Sequence, residues 1–136
     1  MNILKVLTEK RLTGNVGEDA AARYLRKHGY KILERNYDAL GGEIDIIARN
    51  RKYYVFVEVK TRTVGHESPK EPRPASAVTP EKQKKIITVA KWFLGSVPKG
   101  RKIRFDVIEV YLNEEKKVQK IMHLENAFNY NTAHNM

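Results

Sequence analysis

Four ionisable residues interrupt two apolar runs near the middle of the chain. The runs are Glu43 to Ala48 and Tyr53 to Thr61, and the residues are Glu43, Asp45, Glu58 and Lys60. Carboxylate oxygens are hard ligands that suit Mg²⁺ or Mn²⁺, and Mg²⁺ usually takes one or two protein carboxylates together with waters and phosphate. A cation held in this way lowers the pKa of a bound water and offsets charge on a phosphate. A lysine two residues along the strand can orient that water or neutralise negative charge as it develops. The set therefore suits metal-assisted phosphodiester hydrolysis. A lone Glu-x-Lys on a strand is an ordinary surface ion pair worth little. The aspartate one hairpin away, on the same face, turns the reading toward a site.

The elements must bring these groups together. Both runs are rich in Ile, Val, Phe and Tyr and read as strands. The basic link Arg49 to Lys52 is long enough to reverse the chain, which gives an antiparallel hairpin. Strand side chains alternate faces, so Glu43 pairs with Asp45 and Glu58 with Lys60 on a common side. A turn centred on Asn50 and Arg51 sets Asp45 opposite Phe56 and Glu43 opposite Glu58. Asp45 and Glu58 are then diagonal neighbours, roughly 7–8 Å apart at the backbone. A one-residue change in turn length would send one pair to the other side. Ile44, Ile46, Val55, Val57 and Val59 form the opposite, core-facing side.

Asp45 in GEIDII followed by Glu58-Val59-Lys60 in VFVEVKTR resembles the PD-(D/E)XK nuclease core. More narrowly, the chain is similar to the bacterial YraN family, whose members are regarded as endonuclease-like and similar to archaeal Holliday junction resolvases. GNVGEDAAARYLRKHGYKILERNY, RFDVIEV and the closing NAF extend the similarity from Gly14 to Phe128. The resemblance implies an α/β fold with a restriction-endonuclease-like core, a mixed central β-sheet flanked by helices. It implies Asp45 and Glu58 as metal ligands, Lys60 as the catalytic lysine and Glu18 as a helix-borne acid beside the metal, Mg²⁺ or Mn²⁺. The implied activity is a DNA endonuclease acting on branched or single-stranded DNA, and a symmetric junction substrate implies a homodimer. A non-catalytic nucleic-acid-binding module on the same fold is the alternative, and RNA stays open beside DNA.

Composition sets the bounds. The 136 residues carry 26 Lys and Arg against 16 Asp and Glu, a net charge of +10, which points to a polyanionic partner. No cysteine is present, so disulfides, thiolate metal sites and a cysteine nucleophile are excluded. The chain lacks the long apolar run of a membrane-spanning helix and the pattern of a signal peptide, so cytoplasm is the expectation. The length suits a single endonuclease-like domain over residues 1–136.

In chain order, residues 1–12 are expected to be a leader. A helix starts near Val16, capped by Thr13 or Asn15, and ends at Gly29. Glu18 in its first turn has a second reading, as an acid that complements the helix dipole. Tyr30 to Tyr37 reads as a strand and Asp38 to Gly42 as a turn. Glu43 is open between outer-shell acid, strand-edge charge and second ligand. Residues 63–79 hold three prolines and read as a mobile loop. In that loop Lys70 and Arg73 are candidates to grip nucleic acid, and His66 has no pairing partner. Thr79-Pro80-Glu81 starts a second helix with an apolar stripe from Ile86 to Leu94. Its Lys82 is a further candidate to contact phosphate, while Trp92 is assigned to the core or its rim. Lys102 to Leu112 and Val118 to Leu124 are late strands, and Asp106 on the first of them is a possible neighbour of the acidic cluster. Residues 129–136 are expected to fray.

Overall fold

The computed structural model of the chain describes residues 2–64 and 78–134. Lys70, Arg73 and His66 lie outside the described residues. The elements are α1 (Ile3–Lys27), β1 (Lys31–Ala39), β2 (Gly42–Arg49), β3 (Tyr53–Thr63), α2 (Pro80–Leu94), β4 (Lys102–Leu112), β5 (Val118–Phe128) and α3 (Tyr130–His134). The strands form one five-stranded sheet in the order β1-β2-β3-β4-β5. All neighbours are antiparallel except β3 and β4, which run parallel. A parallel pair cannot be joined by a tight turn, and α2 lies in the crossover that links them. The result is the mixed α/β sheet flanked by helices that a restriction-endonuclease-like core requires.

Each helix buries one stripe on one face of the sheet. Ala20, Ala21, Ala22 and Leu25 of α1 pack on Ile46, Val55, Val57, Ile108 and Val110. Ile86, Ile87, Val89, Ala90 and Phe93 of α2 pack on Ile44, Ile47, Tyr54, Phe56 and Phe105 on the other face. Alternation predicts a single core side, with Ile44 and Ile46 together. In fact both sides of the central strands are covered, and those two isoleucines serve different layers. β2 and β3 are therefore apolar on both faces over most of their length, as strands between two helical layers must be.

The helix expected from Val16 begins at Ile3, so the residues expected as a leader are helical. Asn2 caps it, its side-chain oxygen accepting the N–H of Leu4 at 2.9 Å. The stretch after Asn2 is rich in Leu, Lys, Glu and Arg, good helix formers that carry the helix past Gly14. The expected end is found. Gly29 has φ +88°, its N–H reaches Arg26 O, and Tyr30 N–H reaches Leu25 O at 3.0 Å, a Schellman closure. Thr79 caps α2 and Pro80 fills its first turn, as expected.

Two expected irregular segments are shorter than read. β3 continues through Thr63, which pairs with Leu112. The tail forms the short helix α3, because Ala133 is buried in the α2-side core and its N–H reaches Asn129 O. Among the described residues, no helix is long and apolar enough to cross a membrane.

Candidate functional site

The β2–β3 hairpin has a register two steps away from the one expected. The observed pairs are Arg49 with Tyr54, Ala48 with Val55, Ile47 with Phe56 and Ile46 with Val57. Asn50 sets this register. Its side-chain oxygen accepts N–H groups from Lys52 at 3.0 Å and Tyr53 at 2.8 Å, so the turn centres one residue later than read. A shift of two keeps the parity, and Asp45 and Glu58 become the next residues on their strands after the last rung. The ladder stops there. Asp45 Oδ2 accepts the Val59 backbone N–H at 2.8 Å.

Glu58 is buried, with its side chain 6% exposed. Its Oε1 meets two ammonium groups, Lys82 Nζ at 2.5 Å and Lys60 Nζ at 3.6 Å. Lys60 thus stands beside Glu58, as the Glu-x-Lys pattern suggested. Lys82 comes from the first turn of α2 and closes over the same oxygen. Burial alone would lower the Lys82 pKa, but its hydrogen bond to Glu58 and the charges of Glu58 and Asp45 more than offset this and raise it.

Glu18 joins the group from α1. It is not in a first turn, because α1 starts at Ile3, so it does not complement the helix dipole. What brings Glu18 in is the close seating of α1 on β3. A Cβ on Gly17 would fall 1.8 Å from Thr61 Oγ1, so only glycine lets the helix approach this near. Arg35 is committed to Asp19 at 2.8 Å and stands 3.8 Å from Glu18 Oε1. That oxygen is buried and accepts no hydrogen bond. Burial raises the Glu18 pKa, against the opposing pull of Arg35.

Asp45 is the most perturbed acid of the group. Burial, then the nearby charge of Glu58, push it up to about 7, with the Val59 N–H and Lys82 pulling the other way. Carboxylates crowded in this way favour a proton or a cation between them.

Two clefts meet at these residues. One, of about 700 Å³, lies between the first half of α1 and the end of β3 and is lined by Lys10, Glu18 and Lys60 among others. The second, of about 480 Å³, lies between Gly41-Gly42 and the start of α2 and includes Lys85. Asp45, Glu58 and Lys82 line both. Among the described residues, no three acids or histidines form a ready-made cage for an ion. The donor set still fits a hard cation of the Mg²⁺ kind, which needs only one or two carboxylates plus waters. Asp45 and Glu58 could hold it, and Glu18 lines the first of the two clefts with them.

Other expected neighbours lie elsewhere. Glu43 is exposed at the end of β2 opposite Asp38, not opposite Glu58, and lines the second cleft. Asp106 is on the α1 face, level with Val57, and so across the sheet from Glu58. There it accepts from Arg104 Nε at 2.9 Å and the Asn126 backbone N–H at 2.9 Å, and it meets His123 Nε2 at 2.6 Å. Its burial raises its pKa, but these partners win and lower it. His123 Nδ1 in turn meets the Tyr24 hydroxyl at 3.1 Å. This network ties α1 to β4 and β5, and no residue spacing signals it. Trp92 is neither core nor rim but 60% exposed on α2.

One acid was missed. Glu109 is buried on β4 in register with Lys60; it accepts from the Tyr111 hydroxyl at 2.9 Å and lies 3.9 Å from Arg62. In VIEVYL it reads as the polar half of an alternating strand, and only the parallel register sets it beside the lysine strand.

Comparison with known proteins gives one consistent result. The profile of the uncharacterised protein family UPF0102 matches residues 17–110. A UPF0102 protein of Caldanaerobacter subterraneus subsp. tengcongensis is 49% identical over 121 residues, covering 88% of this chain and 96% of that protein. One from Geobacter metallireducens is 47% identical, covering 85% of this chain and 90% of its own. One from Clostridium acetobutylicum is 44% identical, covering 85% and 92%.

Proposed function

The chain belongs to the uncharacterised protein family UPF0102, the YraN family that its motifs resemble, and from this premise and the site geometry we propose that it is a metal-dependent DNA endonuclease. The reaction is hydrolysis of a phosphodiester bond. The observation that carries the reading is the meeting of Asp45 and Glu58 at one cleft junction, with Lys60 Nζ 3.6 Å from Glu58. Crowded buried acids with a lysine beside them are costly for folding alone, and a catalytic site gives them a use.

Asp45 and Glu58 are the residues that would hold Mg²⁺ or Mn²⁺. Such an ion supplies Lewis acidity toward the phosphate and toward an attacking water. Lys60 supplies a fixed positive charge where negative charge grows on the phosphate. Val59 N–H fixes the rotamer of Asp45 through Oδ2, so the acid is pre-oriented before substrate arrives. Lys10 and Lys85, one in each cleft, offer charge to a nucleic acid backbone on either side of the acids. The net charge of +10 favours polyanion binding in general.

The test is incubation of purified protein with Mg²⁺ or Mn²⁺ and labelled junction, flap, single-stranded and duplex DNAs. Cation-dependent cutting of one of these supports the reading and names the substrate. Tight, salt-sensitive binding with no cutting under any cation would favour the non-catalytic binding module instead.

A further inference from the structure

Glu58 Oε1 carries two ammonium contacts of different kinds. Lys60 follows Glu58 by two residues on the same strand, so its position is set by β3. Lys82 reaches in from another element, with a side chain that is 45% exposed, and makes the shorter contact at 2.5 Å. An ammonium and a divalent cation cannot both take the same face of one carboxylate oxygen.

We propose that Lys82 is a displaceable counter-ion on Glu58, which gives way to the divalent cation and then takes a substrate phosphate at the second cleft. The proposal rests on the metal-dependent reading of the site. Lys82 lines both clefts, and the second is the one built on its own helix, with Lys85 one turn on and Gly41-Gly42 at its edge. Lys82 sits in the first turn of α2, where Thr79 caps its backbone N–H at 3.2 Å. Its backbone is thus held while its long side chain swings. Cation entry and substrate grip become linked: the ammonium binds phosphate only once the cation has released it.

The experiment uses the full chain and four forms: wild type, Lys82→Met, Lys82→Arg and Lys85→Met. Mn²⁺ affinity is read by electron paramagnetic resonance of the free ion. Affinity for a short single-stranded DNA is read by anisotropy, with Mn²⁺ and with a chelator. Lys82→Met should bind Mn²⁺ at least about tenfold more tightly, the loss of a charge-assisted competitor. Lys85→Met removes a charge from the same cleft without touching Glu58 and should gain much less. Lys82→Arg, which keeps the charge, should stay near wild type. Lys82→Met should weaken DNA binding in Mn²⁺ but leave it nearly unchanged in chelator, whereas Lys85→Met should weaken both. If Lys82→Met gains no more Mn²⁺ affinity than Lys85→Met, or loses DNA affinity equally in both conditions, the proposal is overturned while the metal site stands. If wild type takes up no Mn²⁺, the metal reading falls and this proposal with it.

Discussion

Val59 donates its backbone N–H to Asp45 Oδ2 at 2.8 Å, at the point where the β2–β3 ladder has just ended. A carboxylate has taken the place of a backbone carbonyl. The strands stay close enough to hold both acids, yet they no longer pair. This is how a hairpin that is apolar on both faces can present two carboxylates at one end.

The crowding makes Asp45 a liability for stability. Its pKa is raised from 3.8 to about 7, so the folded state favours the neutral acid. Ionising it in the folded state costs stability as pH rises from about 4 through about 7. Asp45→Asn keeps an acceptor for Val59 and removes that cost. The variant should be more stable than wild type at pH 8, by on the order of a few kcal/mol, and little different near pH 3.5. Denaturant melts at the two pH values check this; equal differences at both would count against it.

Glu18 lines the first cleft together with Asp45 and Glu58, and its Oε1 lies 3.8 Å from Arg35. Glu18→Gln should cut Mn²⁺ affinity by about tenfold while the fold survives, as loss of supporting groups around a metal commonly does. Isothermal titration gives the value. Unchanged affinity would remove Glu18 from the site.

Gly17 fixes how closely α1 approaches β3. In Gly17→Ala the new Cβ would meet Thr61 Oγ1 at 1.8 Å and Thr61 Cβ at 2.8 Å. Thr61 is β-branched and cannot swing clear of its own Cβ. The variant should lose about 1–3 kcal/mol, the usual cost of overpacking, despite the better helix propensity of alanine. Urea melts measure it, and a gain in stability would show that α1 is free to slide.

Asp106 should be structural. Its pKa is lowered by His123, Arg104 and the Asn126 N–H against the effect of burial. Its contribution to stability is therefore present above the ordinary value of 3.8 and lost as pH falls through its own lower pKa. Asp106→Asn should lose about 3–5 kcal/mol at pH 7, since it leaves Arg104 uncompensated, and should show a shallower acid limb. Thermal melts from pH 7 to pH 2 test both parts. A variant as stable as wild type would mean that the network contributes nothing.

Much of this was legible in the residues. Period-two alternation put Asp45, Glu58 and Lys60 on one side, and that survived a wrong register because the error was even. The register itself turned on Asn50, whose side chain competes with the backbone for the turn, a detail that composition does not show. The start of α1 was misread because Thr13 and Asn15 are good caps and Gly14 looks like a break. Asn2 caps just as well, and nothing local ranks the three. Asp106 and Glu109 are three residues apart on one strand and face opposite layers. Only the register of the parallel β3–β4 pair tells that Glu109, not Asp106, lies beside Lys60. Lys82 stands out by its place at the start of α2 as a candidate phosphate contact, but its partner Glu58 becomes visible only once the crossover brings that helix start over β3.

The most direct measurement is the single-turnover cleavage rate of a labelled DNA substrate in Mn²⁺, for wild type, Asp45→Asn and Lys60→Met purified in parallel. Wild type should cut, chelator should stop it, and each variant should lose about a hundredfold or more, as removal of groups acting on developing charge does. Both variants should remain folded, with Asp45→Asn more stable than wild type at pH 8. Cutting by Asp45→Asn and Lys60→Met at the wild-type rate would contradict the account, because the activity would then not belong to this site.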